Sequence, residues 1–239
     1  MIKLAISGCQ GRMGQRIHFL AQQEKIFKVT ALLENPAHPN VNTEVSGVRI
    51  SSDSHAIKGS QVLIEFTSPE ATIQNLHACV KNKVKMVIGT TGLTPAQIAE
   101  IKKAAQKTAI VFSSNMSVGV NIVFGLAKQA GAKTGKNYSV KIVEAHHIHK
   151  KDKPSGTAKT LAEFVKSGSG VQVTEFESIR EGEIIGDHDV IFESPEDIIT
   201  IRHHAKNRDI FAKGALVAAK FLAKKSKGLF NMQDVLGMK

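Results

Sequence analysis

The feature that most limits what this chain can fold into lies at its start. An apolar run over residues 2–7 leads directly into Gly8, Gly11 and Gly14, and a helical pattern follows to about residue 23. A strand that passes through a glycine turn into a helix is the first half of a crossover between parallel strands. Glycine makes such a turn without a Cβ clash. It also lets backbone N–H groups approach a pyrophosphate at the positive end of the helix dipole. The spacing is GxxGxxG, so the loop alone leaves a plain glycine turn open. Its context narrows the reading. A second strand pattern, residues 29–33, ends at Glu34, twenty positions beyond Gly14. An acidic side chain there accepts hydrogen bonds from an adenosine ribose. The candidate nucleotide contacts are therefore Gly8, Cys9, Gln10, Gly11, Arg12, Met13 and Glu34. Arg12 reads either as a solvated helix-start residue or as a contact to a cofactor phosphate. Cys9 reads as a small loop residue, not as a nucleophile.

The alternation continues. Residues 62–66, 86–88 and 109–112 read as buried strands. Ser68-Pro69 starts one intervening helix, and Thr94-Pro95-Ala96-Gln97 is a capping-box start for another, to about residue 107. This predicts a doubly wound parallel sheet with helices on both faces. Two turns, Gly89-Thr90-Thr91-Gly92 and Ser113-Ser114-Asn115-Met116, follow strands at the carboxyl edge. Their small residues admit the nicotinamide half of a dinucleotide, or they are ordinary turns. After Asn115 the pattern changes. Helices are expected over 120–132 and 157–166, and strands over 140–144, 172–179, 190–192 and 198–203. Strands in succession predict a second, more antiparallel sheet. A helix over 211–224 and a short tail close the chain.

Lys and Arg number 32 against 21 Asp and Glu, a net charge of +11. That excess suits anionic partners such as phosphorylated cofactors, dicarboxylates or nucleic acid, or it is a solvated basic surface. There is no Trp and one Tyr, which argues against base-stacking platforms. Lys81, Lys83, Lys85, Lys224, Lys225 and Lys227 read as solvated faces rather than as a nucleic-acid patch. Two cysteines, Cys9 and Cys79, make no disulfide framework and fit a reducing cytoplasm. No apolar run approaches the roughly 18 residues of a membrane span. The start reads as a strand rather than a signal peptide.

The densest chemistry lies in Glu144-Ala145-His146-His147-Ile148-His149-Lys150-Lys151-Asp152-Lys153-Pro154-Ser155-Gly156-Thr157-Ala158. Histidine exchanges protons near neutral pH, and lysine adds positive charge. Ser155-Gly156-Thr157 opens a helix whose first N–H groups can hold a carboxylate. A small anionic substrate that must also be protonated fits this segment. Metal binding by His146, His147 and His149 is the competing reading, but adjacent residues on a strand point to opposite faces. A solvated basic loop is the other.

With these residues in view, the chain resembles the 4-hydroxy-tetrahydrodipicolinate (dihydrodipicolinate) reductase family nearly end to end. The markers are GCQGRMG at Gly8, FTSPE at Phe66, GTTG at Gly89, SSNMSVGVN at Ser113, EAHHIHKKDKPSGTA at Glu144 and REGEIIGDH at Arg180. The resemblance implies a Rossmann-like dinucleotide-binding domain over 1–116, completed by 208–239. It implies a central α+β substrate and tetramerisation domain over 117–207. His146 is then the acid–base histidine and Lys150 the proton-donating or charge-stabilising lysine. His147, Gly156 and Thr157 are substrate contacts, and no metal is expected. Gly8 to Met13 in turn, Glu34, Gly89, Thr90, Thr91, Ser113, Ser114, Asn115 and Met116 form the site for NADH and/or NADPH. The implied reaction is reduction of the cyclic dicarboxylate to tetrahydrodipicolinate, in diaminopimelate and lysine synthesis, by a cytoplasmic homotetramer without nucleic-acid or membrane partners. Three positions depart from relatives: Asn35 and Ser68 stand where some carry arginine, and Met116 where some carry an aromatic. The first weakens the case for NADPH, and Arg12 is the residue that could compensate. The rival readings are another two-domain dehydrogenase, acting on an amino acid, and a dinucleotide-sensing regulator.

Overall fold

The structure, a computed structural model, describes residues 1–238. Two compact units divide the chain, and each is described by itself. The first comprises Met1–Met116 with Phe211–Leu236, and the second is built on Ser117–Ile210.

In chain order the first unit holds β1 (Ile2–Ser7), α1 (Arg12–Gln23), β2 (Phe27–Leu33), β3 (Glu44–Val45), β4 (Val48–Ser51), β5 (Val62–Glu65), α2 (Pro69–Asn82), β6 (Lys85–Ile88), α3 (Pro95–Ala104) and β7 (Ala109–Phe112). The second unit holds α4 (Val118–Thr134), β8 (Ser139–His146), α5 (Gly156–Ser169), β9 (Glu175–Arg180), β10 (Asp187–Glu193) and β11 (Ile198–His204). The chain then returns through α6 (Asp209–Ala223) to β12 (Gly228–Phe230) and α7 (Met232–Leu236).

The first unit is a sheet in the order β12-β7-β6-β5-β1-β2-β4-β3, parallel except for the β3–β4 hairpin. Strands covered on both faces carry apolar residues at every position; accordingly Leu4, Ala5, Ile6, Val62, Leu63 and Ile64 are all fully buried. From β1 the sheet grows one way to β2 and the other way to β5, so the switch point lies between β1 and β5. Crevices for ligands open at the carboxyl ends of strands at such a point. Helix starts are fixed as the sequence predicts. Ser68 Oγ accepts from the Ala71 N–H, and Thr94 and Gln97 form a reciprocal capping box.

The second unit carries a four-stranded sheet, β11-β10-β8-β9, covered by α4 and α5. The period of two along β8 faces Val140, Ile142, Glu144 and His146 inward. Val140 and Ile142 pack with Phe124, Leu161, Val165 and Phe192. The same alternation therefore takes a carboxylate and an imidazole into the interior.

Four details differ from the sequence expectation. The second sheet is mixed, because β9 pairs parallel to β8. The helix α5 between them makes the pair a crossover unit. Strand β9 starts at Glu175 rather than at residue 172. The β3–β4 hairpin went unread, although its two-residue turn, Ser46-Gly47, has the paired positive φ of 53° and 77° that matches strand twist. The short tail contains β12, which extends the parallel sheet beyond β7. Three residues are too few to show a period.

Helix α1 begins so close to the end of β1 that a Cβ at Gly14 would lie 2.0 Å from the Gly8 carbonyl oxygen. Backbone cannot yield as a flexible side chain does. Gly14→Ala is expected to cost about 1–3 kcal/mol of stability by overpacking, measured by urea unfolding. A change below about 0.5 kcal/mol, the range of neutral surface substitutions, would contradict this packing.

Candidate active site and cofactor pocket

The glycine turn is held from below by β2. The Gly8 and Cys9 N–H groups both donate to the Leu33 carbonyl, at 3.0 and 3.1 Å, with Gly8 at φ +72°. Glu34 leaves the end of β2 and holds the turn from the side. One carboxylate oxygen accepts from the Gln10 N–H at 2.8 Å and the other from the Asn35 N–H at 2.9 Å. Each oxygen keeps a further lone pair for a ligand hydroxyl. A cavity of about 590 Å³ opens here, lined by Gly8, Gly11, Glu34, Asn35, Asp53 and Thr67 among others. Its lining includes two carboxylates and His55 but, among the described residues, no lysine or arginine.

Of the predicted nucleotide contacts, Gly8, Gly11 and Glu34 line this cavity. Cys9 and Gln10 line a different depression of about 270 Å³ with His18 and Phe19, and Arg12 and Met13 line neither. Burial, reinforced by the Glu34 charge, pushes the Cys9 thiol up to about 11. It carries no thiolate near neutral pH. Gly89 lies against the Phe66 ring, where a Cβ would come within 2.2 Å of a ring carbon. Thr90 Oγ1 accepts from the Thr67 N–H at 2.8 Å and donates to Glu65 at 2.9 Å. Thr91 and Ser114 are exposed, the Ser113 hydroxyl donates to the Asn115 carbonyl at 3.1 Å, and Met116 is buried.

Glu65, unread in the sequence, is fully buried and takes hydroxyl hydrogen bonds from Thr67, Thr72 and Thr90. Burial raises its pKa, against the lowering effect of the three hydroxyls. It ties the turn after β5 to the turn after β6.

In the second unit, β8 delivers Glu144 and His146 to one buried point. The Nδ1 of His146 is hydrogen-bonded to Glu144 Oε2. Arg180, at the end of β9, forks onto the same carboxylate, at 2.8 Å to Oε1 and 3.0 Å to Oε2. Arg180 also donates to the carbonyls of Lys150, at 3.2 Å, and Asp152, so it staples the histidine–lysine loop to the sheet. His188 on β10 packs edge-on to His146, with ring centroids 5.1 Å apart. Its Nε2 lies 3.3 Å from the hydroxyl of Ser155, which caps α5. The sequence reading assigned no role to Glu144, Arg180 or His188. His147 and His149 pair instead with each other, at 6.1 Å.

Burial lowers the His146 pKa, Glu144 opposes that, and Lys150 and Arg180 add to the lowering. Burial works to raise Glu144, but Arg180, Ser178 and His146 outweigh it and its pKa falls. Burial, then the His146 charge, drive His188 down to about 3. Glu144, His146 and His188 present ligand atoms within 4.8 Å of one another, a spacing that would suit a cation. Both Glu144 oxygens already receive the Arg180 guanidinium, which gives the cluster its positive charge.

The helix start at Gly156 is open, since a Cβ there would meet nothing within 4 Å. Lys150 Nζ pairs with the Asp152 carboxylate at 2.7 Å. Burial opposes ionisation of Asp152, but Lys150 and the N–H groups of Asp152 and Gly156 hold its pKa low.

A glycine turn over a parallel sheet, and a buried histidine–carboxylate–arginine cluster beside a capped helix start, define a two-unit oxidoreductase of the nicotinamide-dependent class. The family profile described as dihydrodipicolinate reductase, N-terminus, matches residues 2–116, and that for the C-terminus matches 119–236. The 4-hydroxy-tetrahydrodipicolinate reductase of Syntrophotalea carbinolica is 39% identical across all of both chains. That of Janthinobacterium sp. (strain Marseille) is 38% identical over 100% of this chain and 99% of its own. A dipicolinate-bound dihydrodipicolinate reductase from Paenisporosarcina sp. TG-14 shares the fold, with a TM-score of 0.84 over 98% of both chains at 22% identity. The chain belongs to the dihydrodipicolinate reductase family.

The buried histidines couple stability to pH. The unfolded chain binds a proton at His188 near 6.5, whereas the folded chain resists it down to about 3. Its contribution is complete above 6.5 and is lost as pH falls through that window. Urea midpoints are expected to fall from pH 7 to pH 5, and less steeply in His188→Gln. Equal pH slopes for the two proteins would contradict the assignment.

Proposed function

We propose that His146 and Lys150 serve the reaction of this family: the chain reduces 4-hydroxy-tetrahydrodipicolinate, with loss of water, to tetrahydrodipicolinate in diaminopimelate and lysine synthesis. The observation that carries the substrate reading is Asp152. Its carboxylate pairs with Lys150 Nζ, and the nearby Gly156 N–H helps to hold its pKa low; these are two of the groups a substrate carboxylate would use. A carboxylate is therefore already matched at this place by the chain's own residues. A substrate carboxylate exchanges with Asp152 and takes the N–H groups of Gly156 and Thr157 at the positive end of α5. Lys150 then faces the substrate. The Nδ1 of His147, buried without a hydrogen-bond partner among the described residues, is a further donor or acceptor for it.

NADH or NADPH supplies the hydride when bound. The residues of the first unit fit that cofactor. The N–H groups of Arg12 and Met13, at the start of α1, take the phosphates, Glu34 takes ribose hydroxyls, and Gly89 to Thr91 and Ser113 to Met116 border the nicotinamide half. In the second unit His146 holds a proton at Nε2 for the electron-rich carbon–nitrogen system left by reduction. Lys150 and Arg180 supply the positive field that stabilises developing negative charge. His188 stays neutral and orients Ser155, so it does not compete for that proton. The chain acts in the cytoplasm as a homotetramer. Ile179 and Ile198, exposed on the face of the second sheet away from α4 and α5, support assembly through that face. Two free buried thiols support a reducing compartment.

The direct assay supplies the freshly formed condensation product of pyruvate and aspartate semialdehyde and follows nicotinamide oxidation at 340 nm. Turnover with at least one coenzyme is expected, and none with either would overturn the reading. His146→Gln is expected to lower kcat about 10²- to 10⁴-fold, the usual share of a positioned acid, with NADH affinity unchanged. The carboxylates beside the ribose site, without a cation, favour NADH. Its dissociation constant, read by nicotinamide fluorescence, is expected to be at least about tenfold below that of NADPH, a difference of about 1.4 kcal/mol. Tighter binding of NADPH would contradict this.

A further inference from the structure

The histidine of a proton-transfer site must present one nitrogen to the reacting atom and keep the other fixed. In this chain Nδ1 of His146 faces a carboxylate that is completely buried. An unpaired buried carboxylate is very costly. Glu144 is paired twice over, through the two-pronged Arg180 contact and through His146. The Arg180 side chain is itself only 8% exposed, so the fork is shielded from water. Two parallel hydrogen bonds set the plane of the carboxylate as well as its place. The opposite edge of the ring is left clear by a glycine. A Cβ at Gly186 would stand 3.1 Å from His146 Nε2.

We propose that Glu144 and Arg180 are positioning residues for His146: the guanidinium fork aims the Glu144 carboxylate at Nδ1, which keeps a proton there and leaves Nε2 as the exchanging atom. The proposal rests on the role given to His146 above. It adds a reason for the reach of Arg180 to the Lys150 and Asp152 carbonyls. One side chain thereby sets both the imidazole, through Glu144, and the loop that carries the lysine. The charged and titratable groups around His146 are Glu144 on its own strand, Arg180 from β9, His188 from β10 and Lys150 from the following loop. Of these only Glu144 favours the imidazolium. Without it the imidazole both loses its preferred tautomer and becomes harder to protonate.

Glu144→Gln keeps the shape but not the charge. The kcat is expected to fall about 10²-fold or more while KM for the dicarboxylate changes less than about threefold, by analogy with amide replacement of a histidine-orienting carboxylate. The alkaline limb of kcat/KM, where His146 loses its proton, is expected to move to lower pH. Arg180 would then be an unmatched buried charge, so the double variant Glu144→Gln/Arg180→Met is made alongside. If the pair were only structural, the double variant would recover both folding and turnover. On the present account it folds but stays slow, with the same displaced limb. Arg180→Lys, which keeps the charge without the fork, is expected to lose less than Glu144→Gln. Histidine-selective 15N spectra of the full chain give a readout independent of turnover. His146 should show a protonated Nδ1 in the parent chain and a mixture of tautomers in Glu144→Gln. Parent-like kcat and limb in Glu144→Gln, or an Nε2-protonated His146 in the parent chain, would overturn the proposal. A parent chain that binds but does not reduce the substrate would overturn the assigned reaction and leave the tautomer result standing.

Discussion

The second unit is organised around one buried charge. Glu144 occupies a position on β8 that strand alternation would otherwise give to a residue like Val140 or Ile142. A carboxylate there is stable only if its charge is matched, and Arg180 matches it from the neighbouring strand β9. That demand explains why β9 ends where it does and why the loop after β8 folds back. The guanidinium that neutralises Glu144 also binds two carbonyls of the loop. His146, two residues further along the same face, inherits a fixed partner. The cost of burying a charge is thus turned into the orientation of an imidazole.

The first unit meets a different constraint. Its parallel strands need long crossovers, and the sheet reverses direction of growth between β1 and β5. The space at that reversal is filled from one side by a glycine turn that no side chain could enter, since a Cβ at Gly8 would come within 2.4 Å of the Phe66 carbonyl. Glu34 and Glu65 do for this unit what Glu144 does for the other. Each is an acidic side chain at a strand end whose oxygens gather donors from separate turns. Glu34 faces a cavity and has lone pairs to spare. Glu65 is sealed and organises its surroundings without offering anything to a ligand.

Much of this was legible in the sequence. Helix caps at Ser68 and Thr94, the parallel strands and the glycine turn all have local signatures, because each is decided by residues within one turn of helix or one strand. His146, His147, Lys150, Gly156 and Thr157 were legible as a cluster for the same reason. What was not legible is long-range pairing. Glu144 and Arg180 are 36 positions apart, and Glu65 and Thr90 are 25 apart. No period or spacing connects them. The parallel pairing of β9 and the extra strand β12 belong to the same class. Arg12, which reads either as a solvated residue or as a phosphate contact, starts α1 beside the glycine turn and does not line the cavity. The Ser46-Gly47 hairpin turn carries a local signal, paired small residues between two valines, but the flanking strands of two and four residues are too short to show a period.

The proposed substrate site, a carboxylate at the start of α5 with His146 and Lys150 at its side, is tested by a crystal structure of the chain with dipicolinate and NADH. One dipicolinate carboxylate is expected on the Gly156 and Thr157 N–H groups, with Asp152 displaced from Lys150, and His146 Nε2 directed at the ring with Nδ1 still on Glu144. Dipicolinate bound elsewhere, or held there with His146 turned so that Nδ1 faces the ring, would contradict it.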